Sequence, residues 1–144
     1  MLVVLMAFCL IICNCRYDKI YINREQDNYD GKMFLNKFYS DVANKNYYAI
    51  DTLVGDSLKK MAGVDGISKM VKFINHKVGN YKKYIIDDFY IRNNIGTDKE
   101  ISYNYKLKVI YDKGIVDEII GLKKLNCLNI KINSYHANSD LLIH

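Results

Sequence analysis

Four cysteines are the residues of this chain best suited to covalent chemistry, and three of them, Cys9, Cys13 and Cys15, crowd the end of an apolar N-terminus. A thiol can pair with another thiol, ligate a metal or carry a lipid. Residues 2–13 form an unbroken apolar run, and charge begins only at Arg16. A membrane-spanning helix needs about 20 such residues, whereas the apolar core of a secretory signal needs about 7–15. Residues 1–14 are therefore expected to be a targeting segment. No Lys or Arg precedes the run, and no Ala-x-Ala cleavage site follows it. Either Met1 lies downstream of the true start, or the α-amino group alone supplies the usual positive charge.

This assignment settles the remaining thiol chemistry. Once the three cysteines at the end of the apolar run are set aside, only Cys127 is left, so a disulfide framework is excluded by count. A zinc site would need more cysteines or a close histidine pair, and His76, His136 and His144 lack that spacing. Cys127, between Asn126 and Leu128, carries no sign of activation. No glycine loop for phosphate is present, because the glycines of 63–66 open a helix and Gly96 stands alone in a turn. No serine sits in a nucleophile-elbow pattern. The expectation is a chain without metal or cofactor.

The net charge is +5, and all of it falls beyond residue 15. Its lysines are dispersed, with pairs only at Lys59-Lys60, Lys82-Lys83 and Lys123-Lys124, and no nucleic-acid-binding motif accompanies them. A solvated, lysine-rich surface accounts for them, and no nucleic-acid partner is expected. Half the residues are hydrophobic, which suits one folded domain and excludes a disordered chain.

Residues 15–30 mix charge, Asn and Tyr without periodicity and are expected to tether the domain to the membrane. From Gly31 the period is helical. Phe34, Leu35, Phe38, Tyr39 and Val42 share one face. Tyr48, Ile50, Leu53 and Val54 mark a short second helix closed by Gly55, and residues 56–63 add another turn. Asp65 is placed to cap a further helix in which Ile67, Met70, Val71, Ile74 and Val78 make a stripe that Gly79 ends.

After Gly79 the period becomes that of strands. Residues 84–93 predict one strand. Residues 100–111 predict a second, with Ile101, Tyr103, Tyr105, Leu107, Val109 and Tyr111 on one face and Ser102, Asn104, Lys106 and Lys108 on the other. Residues 115–124 and 128–136 complete an antiparallel meander of about four strands behind its helices, an α+β fold. Residues 112–114 are expected to form a three-residue hairpin loop with Gly114 in the left-handed conformation. That loop would set Tyr111 opposite Ile115, Leu107 opposite Ile119, Tyr105 over Gly121, and Lys108 opposite Glu118. A two-residue loop would instead turn Glu118 to the tyrosine face.

The end of the apolar run resembles a bacterial lipoprotein signal. Cys13 follows Leu10-Ile11-Ile12, and Cys15 follows Ile12-Cys13-Asn14, so the resemblance implies Cys15, or else Cys13, as the lipid acceptor. Residues 31–138 resemble the nuclear transport factor two-like (cystatin-like) fold, carried by "MFLNKFYSDVANKNYYAIDTLVGDSL" and "NYKLKVIYDKGIVDEIIGLKKLNCLNIKINSYHANSD". The chain departs from that pattern at Leu128, where an aromatic often stands, and 139–144 remain as a tail. The resemblance is closest to small envelope lipoproteins of that superfamily without assigned activity. It implies a bent sheet wrapped around its helices, an N-terminal lipid in the bacterial membrane on the secreted side, and a homodimer through the sheet face. The function it implies is non-catalytic binding of a small molecule or an envelope protein, with an inhibitor or immunity-type protein as one alternative. The other alternative is an enzyme similar to the superfamily's isomerases and dehydratases, which set an acid or histidine base and a tyrosine donor in an apolar cone. For that chemistry the candidate pocket residues are Asp88, Tyr103, Tyr105 and His136.

Overall fold

The computed structural model describes residues 18–96, 98–126 and 128–143. Cys13, Cys15, Cys127 and His144 lie outside the described residues. The order of elements is β1 (Lys19–Ile22), α1 (Glu25–Ala43), α2 (Tyr47–Thr52), α3 (Asp56–Ala62), α4 (Gly66–Val78), β2 (Tyr81–Ile95), β3 (Glu100–Tyr111), β4 (Gly114–Leu125), β5 (Lys131–Asn138) and a 3-10 turn (Asp140–Leu142). The fold is α+β, and its five strands pair in chain order, antiparallel throughout, in a sheet that does not close. No helix of the described residues is long and apolar enough to cross a membrane.

The expected face of α1 and most of that of α4 are buried, whereas Tyr48 of the expected second-helix face is exposed. Phe34, Leu35, Phe38, Tyr39 and Val42 of α1 meet Ile67, Val71, Ile74 and Val78 of α4 in one core with Tyr103, Tyr105, Leu107, Val109 and Tyr111 of β3. Met70 departs from the expected stripe and is exposed. Asp65 makes no cap hydrogen bond and pairs with Lys69 at 3.0 Å. The capping carboxylate comes from α2 instead, where Asp51 accepts from Ser68 Oγ at 2.9 Å and from its amide at 3.4 Å. Gly79 ends α4 at φ 88, and a Cβ there would lie 2.6 Å from Cβ of Asp112.

The stretch expected to be a tether is structured within the described residues. Lys19–Ile22 pairs with the end of β2, and α1 begins at Glu25. Periodicity misses a strand this short. Tertiary contacts hold it: Asn23, at φ 49, accepts the amide of Ile91 on its side chain at 2.7 Å and donates its own amide to the Ile91 carbonyl at 2.8 Å. The expected tail is structured too, with Ser139 capping the 3-10 turn and Leu142 packed on the core.

Irregularities shape the sheet. β2 carries an extra residue between Tyr81 and Lys83 and another between Ile86 and Asp88, and β5 carries one opposite the Gly121–Leu122 step. Each such bulge bends its strand and raises its local twist. β5 is also engaged on its outer side, where its Ile132 exchanges backbone hydrogen bonds of 2.8 Å with Leu53 and Gly55. That contact leaves less of this edge open to pairing with another chain.

Candidate functional site: a buried glutamate held by three tyrosines

Chemistry in the core is decided by the β3–β4 hairpin. Tyr111 pairs with Gly114, so the loop is the two residues Asp112 and Lys113, and the three-residue expectation is corrected. Leu107 then faces Glu118, Lys108 faces Asp117, Tyr105 faces Ile120, and Gly121 faces Asn104. Neither loop residue has positive φ, so this is not the mirror-image turn that tight hairpins prefer. Neighbours hold it instead. The amides of Asp112 and Lys113 donate to the carbonyls of Asn80 and Val78 at 3.0 and 2.9 Å. The Asp112 carboxylate accepts from the Asn80 amide at 2.7 Å and meets Lys82 at 2.7 Å.

With this register Glu118 enters the core, 1% exposed. Tyr39 from α1 and Tyr135 from β5 donate to its Oε2 at 2.7 and 2.8 Å, and Tyr111 from β3 donates to its Oε1 at 2.9 Å. No cation pairs with it among the described residues. The Tyr39 ring is itself fixed, stacked on Tyr84 at 4.8 Å and Tyr81 at 5.1 Å, with Phe38 edge-on at 5.0 Å. Tyr84 in turn donates to Asn36 Oδ1 at 2.5 Å.

Burial pushes the Glu118 carboxyl up, because a charge there has lost its water, while the three phenols pull it back less strongly. Burial, then the adjacent glutamate charge, pushes the Tyr39 and Tyr135 hydroxyls well up, and Tyr111 likewise. Burial and the neighbouring Tyr84 raise Tyr81 to about 12. The phenols thus stay donors, and Glu118 is the one acid of the cluster, its carboxyl raised by burial. A carboxyl among phenols has the parts for proton transfer, yet both of its oxygens are occupied from within the fold.

The residues expected to share a pocket are only partly brought together. Tyr103 and Tyr105 are buried side by side against α1, and Gly31 is what admits them. A Cβ there would lie 2.1 Å from the Tyr105 hydroxyl oxygen and 2.9 Å from the Tyr103 ring. Burial raises both hydroxyls. Asp88 stands at a β2 bulge with its side chain 66% exposed, 3.6 Å from Lys106. His136 is exposed, opposite Ile119 on the outer sheet face. Neither joins the two tyrosines. Glu118 is reached from sequence only through the two-residue loop. Among the described residues no group of three or more His, Cys, Asp or Glu could hold a metal. No protein family, curated protein or solved structure matches this chain.

Proposed function

We propose that this chain is a lipid-anchored, non-catalytic binding module of the bacterial cell envelope. The observation that carries this reading is the sequestration of Glu118. This acid gives its acceptor oxygens to Tyr39, Tyr111 and Tyr135 inside a packed core. Binding then falls to the surface, and Cys15 or Cys13 behind the apolar run supplies the anchor. The test is mass analysis and lipid labelling of protein recovered from bacterial membranes, for wild type, Cys13→Ser and Cys15→Ser. A diacyl or triacyl N-terminus that disappears in one variant is expected. An unprocessed, unlabelled chain overturns the anchor.

A second reading, an isomerase- or dehydratase-like enzyme, is favoured by the same buried carboxyl beside phenol donors, the pairing such chemistry uses. It requires the core to open to a substrate. An apolar fluorescent probe separates the two. The binding module leaves its cluster tyrosine emission unchanged, whereas saturable binding that quenches it supports the enzyme.

A further inference from the structure

One end of the sheet gathers the start of the described chain and a lysine-lined groove. β1 begins at Lys19 opposite Ile95, β4 ends at Leu125 opposite Glu100, and β5 begins at Lys131 opposite Lys123. The Asn126 amide donates to the Lys99 carbonyl at 2.8 Å and ties the β4–β5 turn to the β2–β3 turn. Between this end and α3 lies a groove of about 500 Å³, walled by Lys59, Lys123, Lys131, Leu125, Leu128 and Asp56. Two of its ammonium groups are held in position, Lys131 donating to the Thr52 carbonyl at 2.6 Å and Lys123 pairing with Glu100 at 3.2 Å. Lys59 has no ion-pair partner among the described residues. Both leucines are exposed beside the lysines.

We propose that this groove takes the phosphate headgroup of an anionic lipid in the membrane that anchors the chain, with Leu125 and Leu128 against the acyl region. The orientation rests on the lipid-anchor reading above. Residues 16–19, even fully extended, span about 13 Å, so an acylated Cys15 holds the Lys19 end of the sheet close to the bilayer. β5 lies about 19 Å across the sheet from β1, which places the groove along the same membrane-facing end. A short acyl anchor gains from a second, electrostatic contact. Lysines beside exposed leucines match a ligand that is anionic at one end and apolar at the other.

The test uses the full chain carrying both Cys13→Ser and Cys15→Ser, so that no acyl group contributes. Its partitioning is measured onto phosphatidylcholine vesicles with and without phosphatidylglycerol. Preference for the anionic vesicles is expected. Adding Lys59→Gln, Lys123→Gln and Lys131→Gln should lower it roughly tenfold to a hundredfold. The same number of charges removed at Lys32, Lys37 and Lys83, away from the groove, should change it far less. Should the groove triple variant misfold, Lys59→Gln alone removes an unpaired ammonium and should still weaken binding severalfold. Equal losses in the two triple variants, or no preference for anionic vesicles, overturn the proposal. So does full displacement by inorganic phosphate, which would assign the groove to a soluble phosphate. Lipid labelling of the wild-type chain reads the anchor separately, so either reading can fail without the other.

Discussion

Asp27 and Glu118 are equally buried, each about 1% exposed, and each accepts three hydrogen bonds, yet they are different objects. Asp27 takes two from Arg24, at 2.6 and 3.0 Å, and one from Asn93 at 2.8 Å. Arg24 brings a full positive charge while its side chain stays 42% exposed, so the pair is neutral and open to water at one end. Asp27 also sits in the first turn of α1, where the helix dipole favours an anion. Glu118 stands mid-strand and has only neutral phenols. An ionised Glu118 therefore leaves a net charge in the core, and counting hydrogen bonds hides this. The cationic partner separates the two sites: Asp27 has one, and Glu118, without one, has its carboxyl raised by burial.

The largest effect that should follow is at Glu118. Replacing it with Ala strands three buried phenol hydroxyls and leaves a cavity, so Glu118→Ala should lose about 3–5 kcal/mol of unfolding free energy, read from the urea midpoint. Asp27→Ala should cost less, about 1–3 kcal/mol, because Arg24 can turn to water and only Asn93 is left buried without its acceptor. Equal costs would mean that the exposed end of Arg24 contributes nothing, and the contrast between the two sites would fail.

The two sites were unequally legible from sequence, for a physical reason. Helical faces follow from local periodicity, and the stripes of α1 and α4 pack as their spacing indicates, Met70 apart. The alternation of β3 likewise places Tyr103 and Tyr105 inside. Glu118 depends on a register, and that register is set by contacts from Asn80 and Val78, far from the loop in sequence. Local turn rules favour the three-residue loop and hide the acid. The capping of α4 by Asp51 and the clamp on β1 by Asn23 are also long-range contacts, invisible to periodicity. Asp88 lies at a bulge, where the inward–outward alternation of β2 is broken.

The smallest effect is also the sharpest test of the comparison. Glu118→Gln keeps the shape and removes the charge, with an amide that can still accept from the phenols. The folded-state pKa of Glu118 is raised above its ordinary value of 4.5, burial being the main cause. A raised pKa means that folding favours the protonated acid. Its contribution to stability is fully present below the unfolded value and is lost as pH rises through the folded one. The Gln variant has no such loss. Measured by urea unfolding from acid to neutral pH, the stability of Glu118→Gln relative to wild type should therefore climb from about pH 4.5 upward and level off once the wild-type acid is ionised. A difference that falls across that window would mean that the three phenols outweigh burial and hold Glu118 as a settled carboxylate. The cation at Asp27 would then no longer distinguish the two sites.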